Sequence, residues 1–310
     1  MDDLRFDGRV AVISGAGRGL GRSHALLLGK QGCKVVVNDT GAAIKGADDL
    51  GAGDAGPAQD VVDEIRAMGG EAVASTDSVA TMEGGKAIIQ KALDSFGRID
   101  ILIHNAGNVR YGSLSEISYE DFKSVVDVHL MGAFHLVRSA FPLMMAQNYG
   151  RIVLTSSIGG IYGNLNCVNY GMSKSGMIGL NNVAALEGEA CNVKSNLLVP
   201  SAVTRMADGL DISQYPPMGS ELVSPTVGWL SHEQCNVTGE MIAAIGGRIS
   251  RCYIAETVGV YRPERTMQQV GELMPAIHDK DGAHDFGLHG HIGHIGYSFQ
   301  MARGEVQGKA

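Results

Sequence analysis

The sequence has no run of basic residues and no long, uninterrupted apolar segment. Its 310 residues carry 25 Lys and Arg against 33 Asp and Glu, a formal net charge of −8. Without a basic patch, nucleic acid and anionic membrane surfaces are not expected as partners. The longest uncharged stretch, residues 152–173, is interrupted by Asn, Ser and Gly, so we do not expect it to span a bilayer.

Cysteine is scarce and shows no pairing pattern. The five cysteines are dispersed and form no C-x-x-C motif. An odd, scattered set is typical of reduced thiols in a cytosolic protein. The first residues, MDDLR, lack the basic and apolar regions of a secretory signal. We therefore expect a cytoplasmic protein.

Glycine is the residue type in excess, with 43 of 310 residues, which indicates many tight turns and close backbone contacts. Seven short runs rich in β-branched residues alternate with segments of helical periodicity, and the run interiors are almost continuously apolar, as in strands covered on both faces. The runs are residues 9–14, 34–38, 71–75, 99–104, 151–155, 193–199 and 241–245. This alternation predicts a Rossmann-like α/β fold with a doubly wound, seven-stranded parallel sheet.

The alternation predicts one Rossmann-like domain over residues 1–246 and a partly irregular C-terminal extension over residues 247–310. Two segments interrupt it. Residues 40–56, rich in Gly, Ala and Asp, are expected to form a functional or mobile loop. Residues 204–225, which follow the sixth strand, are expected to form a substrate lid, with a plain surface loop as the alternative.

Five of the ten histidines lie in residues 278–294 of the extension. Metal binding is one interpretation of this cluster. The segment is glycine-rich and has neither cysteine nor a predicted helical scaffold, which is more typical of a packing surface or a disordered tail. No metal site is predicted.

The first predicted strand runs into residues 14–21, SGAGRGLG, and then into a helix. In this context glycines let the backbone approach a pyrophosphate, and the helix N-terminus offers unpaired N–H groups. The spacing is G-x-x-x-G-x-G, and neither G-x-G-x-x-G nor a Walker A motif fits. A tight turn without a ligand is the alternative for a glycine loop taken alone. The residues predicted to contact the cofactor here are Gly15, Arg18, Gly19, Leu20 and Gly21.

The second strand ends at Asp39, whose carboxylate can accept hydrogen bonds from the adenosine ribose and would repel a 2′-phosphate. This favours NAD over NADP. Arg18 argues the other way because a guanidinium near that site could pair with a phosphate. We give Asp39 the greater weight, since a fixed anion beside a dianion is strongly unfavourable in a partly dry site.

Ser157 follows the fifth strand, and Tyr170 and Lys174 share one face of the next predicted helix. The Lys174 ammonium and a nicotinamide cation would both lower the pKa of the Tyr170 phenol, so that it could act as a base near neutral pH. Ser157 could hold the substrate oxygen while a hydride is transferred. A Tyr-x-x-x-Lys pair on a helix surface is the alternative interpretation.

Residues 14–21, the segment Asn105-Ala106-Gly107, Ser157, Tyr170 and Lys174, in this order, resemble the short-chain dehydrogenase/reductase family over residues 7–246. The resemblance implies that Tyr170 is the acid/base and that Lys174 also holds the nicotinamide ribose. It further implies contacts of the cofactor's adenine, adenosine and carboxamide with three segments. These contacts are Asp77 and Ser78 at the adenine, Asn105, Ala106 and Gly107 on the adenosine side, and Pro200, Val203 and Thr204 at the carboxamide.

Four positions depart from the family pattern: Ser14 for Thr, His104 for Asn, Ser201 for Gly and His129 for Asn. By the resemblance, His129 stands where an Asn completes a catalytic tetrad and supports a water relay to the lysine. A histidine can also donate and accept a proton, so His129 is included among the expected catalytic residues. A buried histidine satisfied by backbone groups is the alternative.

Within the family, the segments around Asp39, His129 and Ser157 resemble the (3R)-hydroxyacyl-CoA dehydrogenase domains of type 2 peroxisomal multifunctional enzymes. The chain ends in GKA rather than SKL, which agrees with the cytoplasmic expectation. The resemblance implies NAD-dependent oxidation of a secondary alcohol in a bulky, apolar 3-hydroxyacyl-CoA or hydroxysteroid-type substrate, by a homodimer or homotetramer. An NADPH-dependent 3-oxoacyl or ketone reductase is the alternative among enzymes, and a dinucleotide-binding scaffold or sensor is the alternative outside them.

Overall fold

The computed structural model describes residues 4–42, 56–202 and 216–309, and the chain forms two compact units, Met1–Arg251 and Cys252–Ala310. The strands are β1 (Val10–Ser14), β2 (Lys34–Asn38), β3 (Ala72–Ser75), β4 (Ile101–His104), β5 (Gly150–Thr155), β6 (Val193–Ser201), β7 (Met241–Ile245) and β8 (Arg248–Cys252). They form one sheet in the order β3-β2-β1-β4-β5-β6-β7-β8. The pairs from β3 to β7 are parallel.

The helices of the larger unit follow the strands in alternation. They are α1 (Gly19–Lys30), α2 (Gly56–Ala67), α3 (Met82–Phe96), α4 (Tyr119–Val126), α5 (Gly132–Ala146), α6 (Ile158–Tyr162), α7 (Val168–Gly188) and α8 (Ser224–Ser231). This arrangement confirms the predicted doubly wound Rossmann-like fold.

The predicted strand count is wrong by one, because the sheet has eight strands. β8 follows β7 after only Gly246 and Gly247, both with positive φ, and a two-residue connection can join only antiparallel neighbours. Its sequence, RISRC, is largely exposed at the sheet edge. An edge strand of this kind needs no apolar run, so the periodicity that identified the other strands is missing.

The central strands are covered on both faces, and β1, β4 and β5 are buried along their whole length. Ser14 of β1 pairs with His104 of β4, and His104 pairs with Leu154 of β5. The carboxyl ends of these strands therefore lie at one level. The strand order reverses between β1 and β4, and in open α/β sheets ligands bind in the crevice at this place.

Helical periodicity predicted one segment over residues 118–146, and the structure divides it. A π-helical segment, Asp127–Met131, separates α4 from α5. Such insertions widen the helix locally and often occur at functional sites. The predicted lid lies partly outside the described residues, and its described end contains a 3₁₀ turn at Ser220–Leu222 and the start of α8.

The smaller unit contains α9 (Met267–Glu272), α10 (Met274–Ile277) and α11 (Gly290–Ala302). Two of its histidines, His284 and His294, pack against aromatic rings, with His284 4.4 Å from Tyr297 and His294 5.7 Å from Phe286 between ring centres. His294 Nε2 lies 3.1 Å from a Glu256 carboxylate oxygen. In the described part of the chain, no group of three or more His, Cys, Asp or Glu could hold a metal ion, and no helix is long and apolar enough to cross a membrane.

Candidate active site

The glycine loop between β1 and α1 forms one wall of a cleft at the carboxyl ends of the strands. α1 begins at Gly19, and neither a side-chain cap nor an acidic residue occupies its N-terminus, so its first N–H groups can bind an anion. Gly15 has φ +64°, and a Cβ there would lie 2.7 Å from Ala106 Cα. A Cβ at Gly21 would lie 2.2 Å from the Gly15 carbonyl oxygen. The loop thus packs on the turn after β4 only because glycines stand at these positions.

Asp39 is bound to this loop. One carboxylate oxygen accepts a hydrogen bond from Gly17 N at 3.0 Å, and the other accepts one from Gly41 N at 2.9 Å. The neighbouring Asn38 donates to the carbonyl oxygen of Asp77 at 2.9 Å. The negative charge of Asp39 is therefore held in a fixed place beside the glycine loop.

Ser157, Tyr170 and Lys174 converge on the opposite side of the cleft. Ser157 caps the N-terminus of α6, with its hydroxyl accepting from Gly159 N at 3.1 Å, and it also hydrogen-bonds to the Tyr170 phenol. Tyr170 and Lys174 lie one turn apart on α7, with the Lys174 Nζ 5.5 Å from the centre of the tyrosine ring. Lys174 Nζ donates to the Thr155 carbonyl oxygen at 2.5 Å.

Burial sets the protonation of this pair. It lowers the pKa of the Lys174 ammonium to about 7. It also raises the pKa of Tyr170, against the opposing effect of the Ser157 hydrogen bond. The expectation that Lys174 lowers the pKa of this tyrosine is thus not confirmed: desolvation is the largest effect on the phenol, and Lys174 is not among the groups that shift its pKa.

His129 lies in the π-helical segment and packs edge-on against Tyr170, with ring centres 5.3 Å apart and planes at 82°. A Cβ at Gly107 would lie 2.4 Å from His129 Cε1, so the ring fills the space that this glycine leaves. The His129 Nε2 lies 2.8 Å from the Asn108 carbonyl oxygen and 3.1 Å from the Asn108 amide nitrogen. Burial lowers the pKa of His129 well below its usual value, so the ring is neutral.

His104 links β1 to the π-helical segment. Its Nε2 donates to the His129 carbonyl oxygen at 2.9 Å, which leaves Nδ1 to accept from the Ser14 hydroxyl at 2.9 Å. The Ser14 oxygen in turn accepts from the backbone N–H groups of Asn105 and Ala106. Both ring nitrogens of His104 and the Ser14 hydroxyl thus have hydrogen-bond partners. Burial lowers the pKa of His104 to about 3. The ring is therefore neutral and holds the turn after β4 in place.

Most of the predicted site residues line one cavity of about 320 Å³. The predicted residues that line it are Gly15, Arg18, Gly19, Leu20, Asp39, Ser78, Asn105, Ala106, Gly107, His129, Tyr170, Lys174 and Pro200. Gly21 and Asp77 do not line the cavity but contact residues that do, Gly15 and Asn38 respectively. Ser157 contacts the lining residue Tyr170. Val203 and Thr204 lie outside the described residues.

Three residues that line the cavity, Asn108, His129 and Thr155, each have one buried side-chain atom without a hydrogen-bond partner in the described part of the chain. The open N-terminus of α1 and the glycine cradle fit the pyrophosphate of a dinucleotide.

Several residues that line the cavity were not predicted from the sequence, Asn108 and Thr155 among them. Asn108 directly follows the segment Asn105–Gly107, and Thr155 lies two residues before Ser157. The available signal was the position of Thr155 at the end of β5 and of Asn108 in the turn after β4. Their contacts with His129 and Lys174 depend on long-range packing that no local pattern reveals.

The chain is similar in sequence to known proteins. The family model described as short chain dehydrogenase matches residues 9–211. The peroxisomal multifunctional enzyme type 2 of Drosophila melanogaster is 44% identical over 292 residues, which cover 92% of this chain and 47% of that protein. The chain thus spans about half the length of this relative.

Two solved structures are similar over most of the chain. The structure of full-length peroxisomal multifunctional enzyme type 2 from Drosophila melanogaster has a TM-score of 0.79 and 36% sequence identity, covering 98% of this chain and 51% of that one. The structure of a short chain dehydrogenase from Mycobacterium avium has a TM-score of 0.76 and 36% identity, covering 88% of this chain and 95% of that one.

Proposed function

We propose that the chain, which belongs to the short-chain dehydrogenase family, is an oxidoreductase acting on CH–OH groups and that it oxidises the 3-hydroxyl group of a 3-hydroxyacyl thioester with NAD. The observation that carries this proposal is the convergence of Ser157, Tyr170 and Lys174 on the cleft whose opposite wall is the glycine loop. A hydroxysteroid-type substrate is the alternative to the 3-hydroxyacyl thioester within this proposal.

In this reaction the bound dinucleotide supplies the hydride acceptor, its nicotinamide ring. The Ser157 hydroxyl donates a hydrogen bond to the substrate oxygen, and Tyr170 accepts the hydroxyl proton of the substrate. Since burial raises the pKa of Tyr170, the phenol needs adjoining positive charge to become a base. Lys174, buried at the same place, would provide that charge and bind the nicotinamide ribose.

Different residues along the cleft are proposed to bind different parts of the dinucleotide. The N-terminus of α1 and Gly15 would bind the pyrophosphate, and Asp39 would accept hydrogen bonds from the adenosine ribose. Ser78 and the turn at Asn105 would flank the adenosine, and Pro200 would lie at the nicotinamide end. Val203 and Thr204 stay predictions for the carboxamide.

The cofactor proposal is tested by comparing kcat/KM with NAD and with NADP for wild type and Asp39→Ala. We expect wild type to favour NAD, because the fixed Asp39 carboxylate repels a 2′-phosphate. Repulsion on the order of 4 kcal/mol per charge pair near a protein surface corresponds to a preference of roughly a thousandfold, and solvent screening reduces it. Asp39→Ala should lose most of this preference.

A second function, NADPH-dependent reduction of a 3-oxoacyl group or ketone, is favoured by Arg18, whose side chain also lines the cleft. A native preference for NADPH that Arg18→Ala abolishes would establish it in place of the NAD proposal.

The proton-transfer proposal is tested with Tyr170→Phe, which keeps the ring and removes the hydroxyl. We expect turnover to fall roughly 10²- to 10⁴-fold with cofactor affinity little changed. Tyr261→Phe, in the smaller unit, serves as the control and should retain full activity. Unchanged turnover in Tyr170→Phe would exclude the phenol as the acid/base, and cofactor binding without turnover in wild type would support a scaffold or sensor.

We propose His129 as a positioning residue that holds the Tyr170 ring from its edge. His129→Asn, which keeps a polar side chain, should retain more activity than His129→Leu. Because the effect acts through the orientation and environment of the phenol, the pH profile of kcat should shift in His129→Leu. A loss of protein stability with an unshifted profile would mean a purely structural role.

The quaternary structure and compartment are also proposals. Exposed apolar side chains on α5 and α7, Phe134, Val183 and Leu186 among them, support a homodimer or homotetramer. Light scattering of the purified protein tests this. Five free cysteines support a reducing compartment, and we propose the cytoplasm, although the Drosophila relative is named peroxisomal. Fluorescence microscopy of the tagged full chain distinguishes the two.

A further inference from the structure

Asn169, the residue before Tyr170 in the first turn of α7, is fully buried. A buried side-chain amide is unfavourable unless its polar atoms are hydrogen-bonded, so its partners show what it holds together. None of the cofactor contacts and proton-transfer steps proposed above uses this residue.

The first turn of α7 lacks the usual cap. Its first intrahelical bond runs from Gly171 N to the Cys167 carbonyl oxygen at 2.8 Å, so the N–H groups before Gly171 have no partner inside the helix. Cys167, at the N-cap position, makes no capping hydrogen bond in the described part of the chain. Instead, Tyr170 N donates to Asn169 Oδ1 at 2.8 Å. The Asn169 side chain therefore binds the backbone of Tyr170 itself.

The other end of the Asn169 amide contacts a distant part of the chain. Its Nδ2 donates to the Arg110 carbonyl oxygen at 3.1 Å and lies 3.5 Å from the carbonyl oxygen of Asp121 in α4. Arg110 belongs to the connection after β4, which also carries the Asn105–Gly107 wall of the cleft. One side chain thus links the backbone of Tyr170 to the loop that lines the proposed cofactor cleft.

The phenol of Tyr170 depends on the position of this turn. Its ring packs against His129, with ring centres 5.3 Å apart, and its oxygen hydrogen-bonds to Ser157 of the turn before α6. Both partners lie outside α7, so a displaced first turn would separate the phenol from them. Because the Ser157 hydrogen bond lowers the pKa of Tyr170, such a displacement would have a measurable electrostatic effect.

From these contacts we propose that Asn169 is a positioning residue for the oxidation, which holds the Tyr170 phenol in register with the cleft wall that binds the dinucleotide. The proposal rests on the proposed function, in which Tyr170 accepts the hydroxyl proton of the substrate. Without this link the first turn of α7 can shift against the loop after β4. A misplacement of about 1 Å can lower turnover on the order of 100-fold.

The test compares two changes at Asn169 with one at Ser173. Asn169→Ala removes both side-chain hydrogen bonds. Asn169→Ser keeps a hydroxyl oxygen near the Tyr170 amide but is too short to bind Arg110, so it serves as the milder variant if Asn169→Ala does not fold. Ser173→Ala is the matched control, because Ser173 is fully buried on the same helix and its hydroxyl donates to the Asn169 backbone carbonyl oxygen at 2.7 Å.

We expect kcat for oxidation to fall roughly 10- to 100-fold in both Asn169 variants. The KM for NAD should change little, because most of the proposed dinucleotide contacts lie on the glycine loop and at Asp39. The rising limb of the pH profile of kcat should move to higher pH, since the displaced phenol loses its hydrogen bond to Ser157. Ser173→Ala should lower the urea midpoint to a similar extent yet keep the kcat and pH profile of wild type.

An unchanged kcat in Asn169→Ser, or an unmoved limb in both Asn169 variants, would overturn the proposal. An equal loss of kcat in Ser173→Ala would also overturn it, because the loss of any buried hydrogen bond in the helix would then explain the effect.

If wild type oxidises no 3-hydroxyacyl thioester, the proposed function fails, and the titration of Tyr170 then tests the position of the phenol directly. This titration is followed by the ultraviolet absorbance of tyrosinate, with Tyr170→Phe as the blank. A higher Tyr170 pKa in Asn169→Ser than in wild type and Ser173→Ala supports the positioning role, and an equal pKa in all three proteins overturns it.

Discussion

The buried histidines should make the folded protein sensitive to mild acid, and His104 allows the effect to be measured at one position. Burial lowers the pKa of His104 from 6.5 to about 3. In the unfolded chain His104 is therefore protonated as the pH falls below about 6.5, whereas in the folded protein it stays neutral down to about pH 3. Stability contributed by this group is complete above pH 6.5 and is lost as the pH falls towards 3.

The magnitude follows from the size of that window. Between pH 7.5 and pH 5 a single such histidine lowers the free energy of unfolding by about 2 kcal/mol. Burial also lowers the pKa of His24 to about 3, and it lowers that of His129 in the same direction. Between pH 7.5 and pH 5, two or three such histidines would together remove a large part of the free energy of unfolding, which is typically about 5–15 kcal/mol.

His104→Asn removes the titrating ring. The variant loses the hydrogen bonds to Ser14 and to the His129 carbonyl group, which should cost about 1–3 kcal/mol at every pH. Its loss of stability between pH 7.5 and pH 5, however, should be about 2 kcal/mol smaller than that of wild type. Ser14→Ala is the control, because it breaks the same hydrogen-bonded chain and keeps the ring.

Urea unfolding at pH 5, 6 and 7.5 gives both quantities, and Trp229 of α8, the single tryptophan, reports on the larger unit. The expected result is a constant offset for Ser14→Ala and a shallower pH dependence for His104→Asn. Curves of wild type and His104→Asn that stay parallel over this range would refute the reasoning, since the ring would then not be held neutral by burial.

Three further predictions follow from the site. Lys174→Met should abolish activity, yet it should resist urea better than wild type at pH 6. Burial lowers the pKa of Lys174 from 10.5 to about 7, so the folded wild type is destabilised when this lysine is charged. The stability advantage of the variant should therefore shrink towards pH 10. Gly107→Ala should destabilise wild type by about 1–3 kcal/mol but be tolerated in a His129→Ala background, as a urea double-mutant cycle would reveal, because the added Cβ meets the His129 ring. Ser157→Ala should move the rising limb of the pH profile of kcat for oxidation to higher pH, since the Ser157 hydrogen bond lowers the pKa of Tyr170; an unmoved limb would contradict this.

Local patterns were sufficient for most of the fold. Strands buried on both faces have continuous apolar runs, and the glycine loop and the Tyr170–Lys174 spacing depend only on neighbours within one turn or one connection. β8 was not predicted because an exposed, antiparallel edge strand has neither an apolar run nor a crossover helix. The division of residues 118–146 by a π-helical segment was also not predicted, since one inserted residue hardly alters the helical period.

The electrostatics of the site could not be predicted in the same way. The sign of the pKa shift at Tyr170 depends on how completely the phenol is buried, and its ring packs against residues distant in sequence such as His129. The bond from Gly17 to Asp39 likewise joins positions on either side of α1, although the residue types alone suggested a ribose site. Motifs thus located the groups, and packing determined their protonation.

The departures from the family pattern at Ser14, His104 and His129 are connected in space. The Ser14 hydroxyl reaches the His104 ring, and that ring binds the backbone carbonyl group of His129. The His129 side chain then occupies the space that Gly107 leaves and contacts the edge of Tyr170. A change at any one of these positions alters the fit of the next, so replacing a single histidine by the residue usual in the family does not recreate the family's usual site. The three positions form one support that fixes Tyr170, the proposed acid/base, relative to the glycine loop.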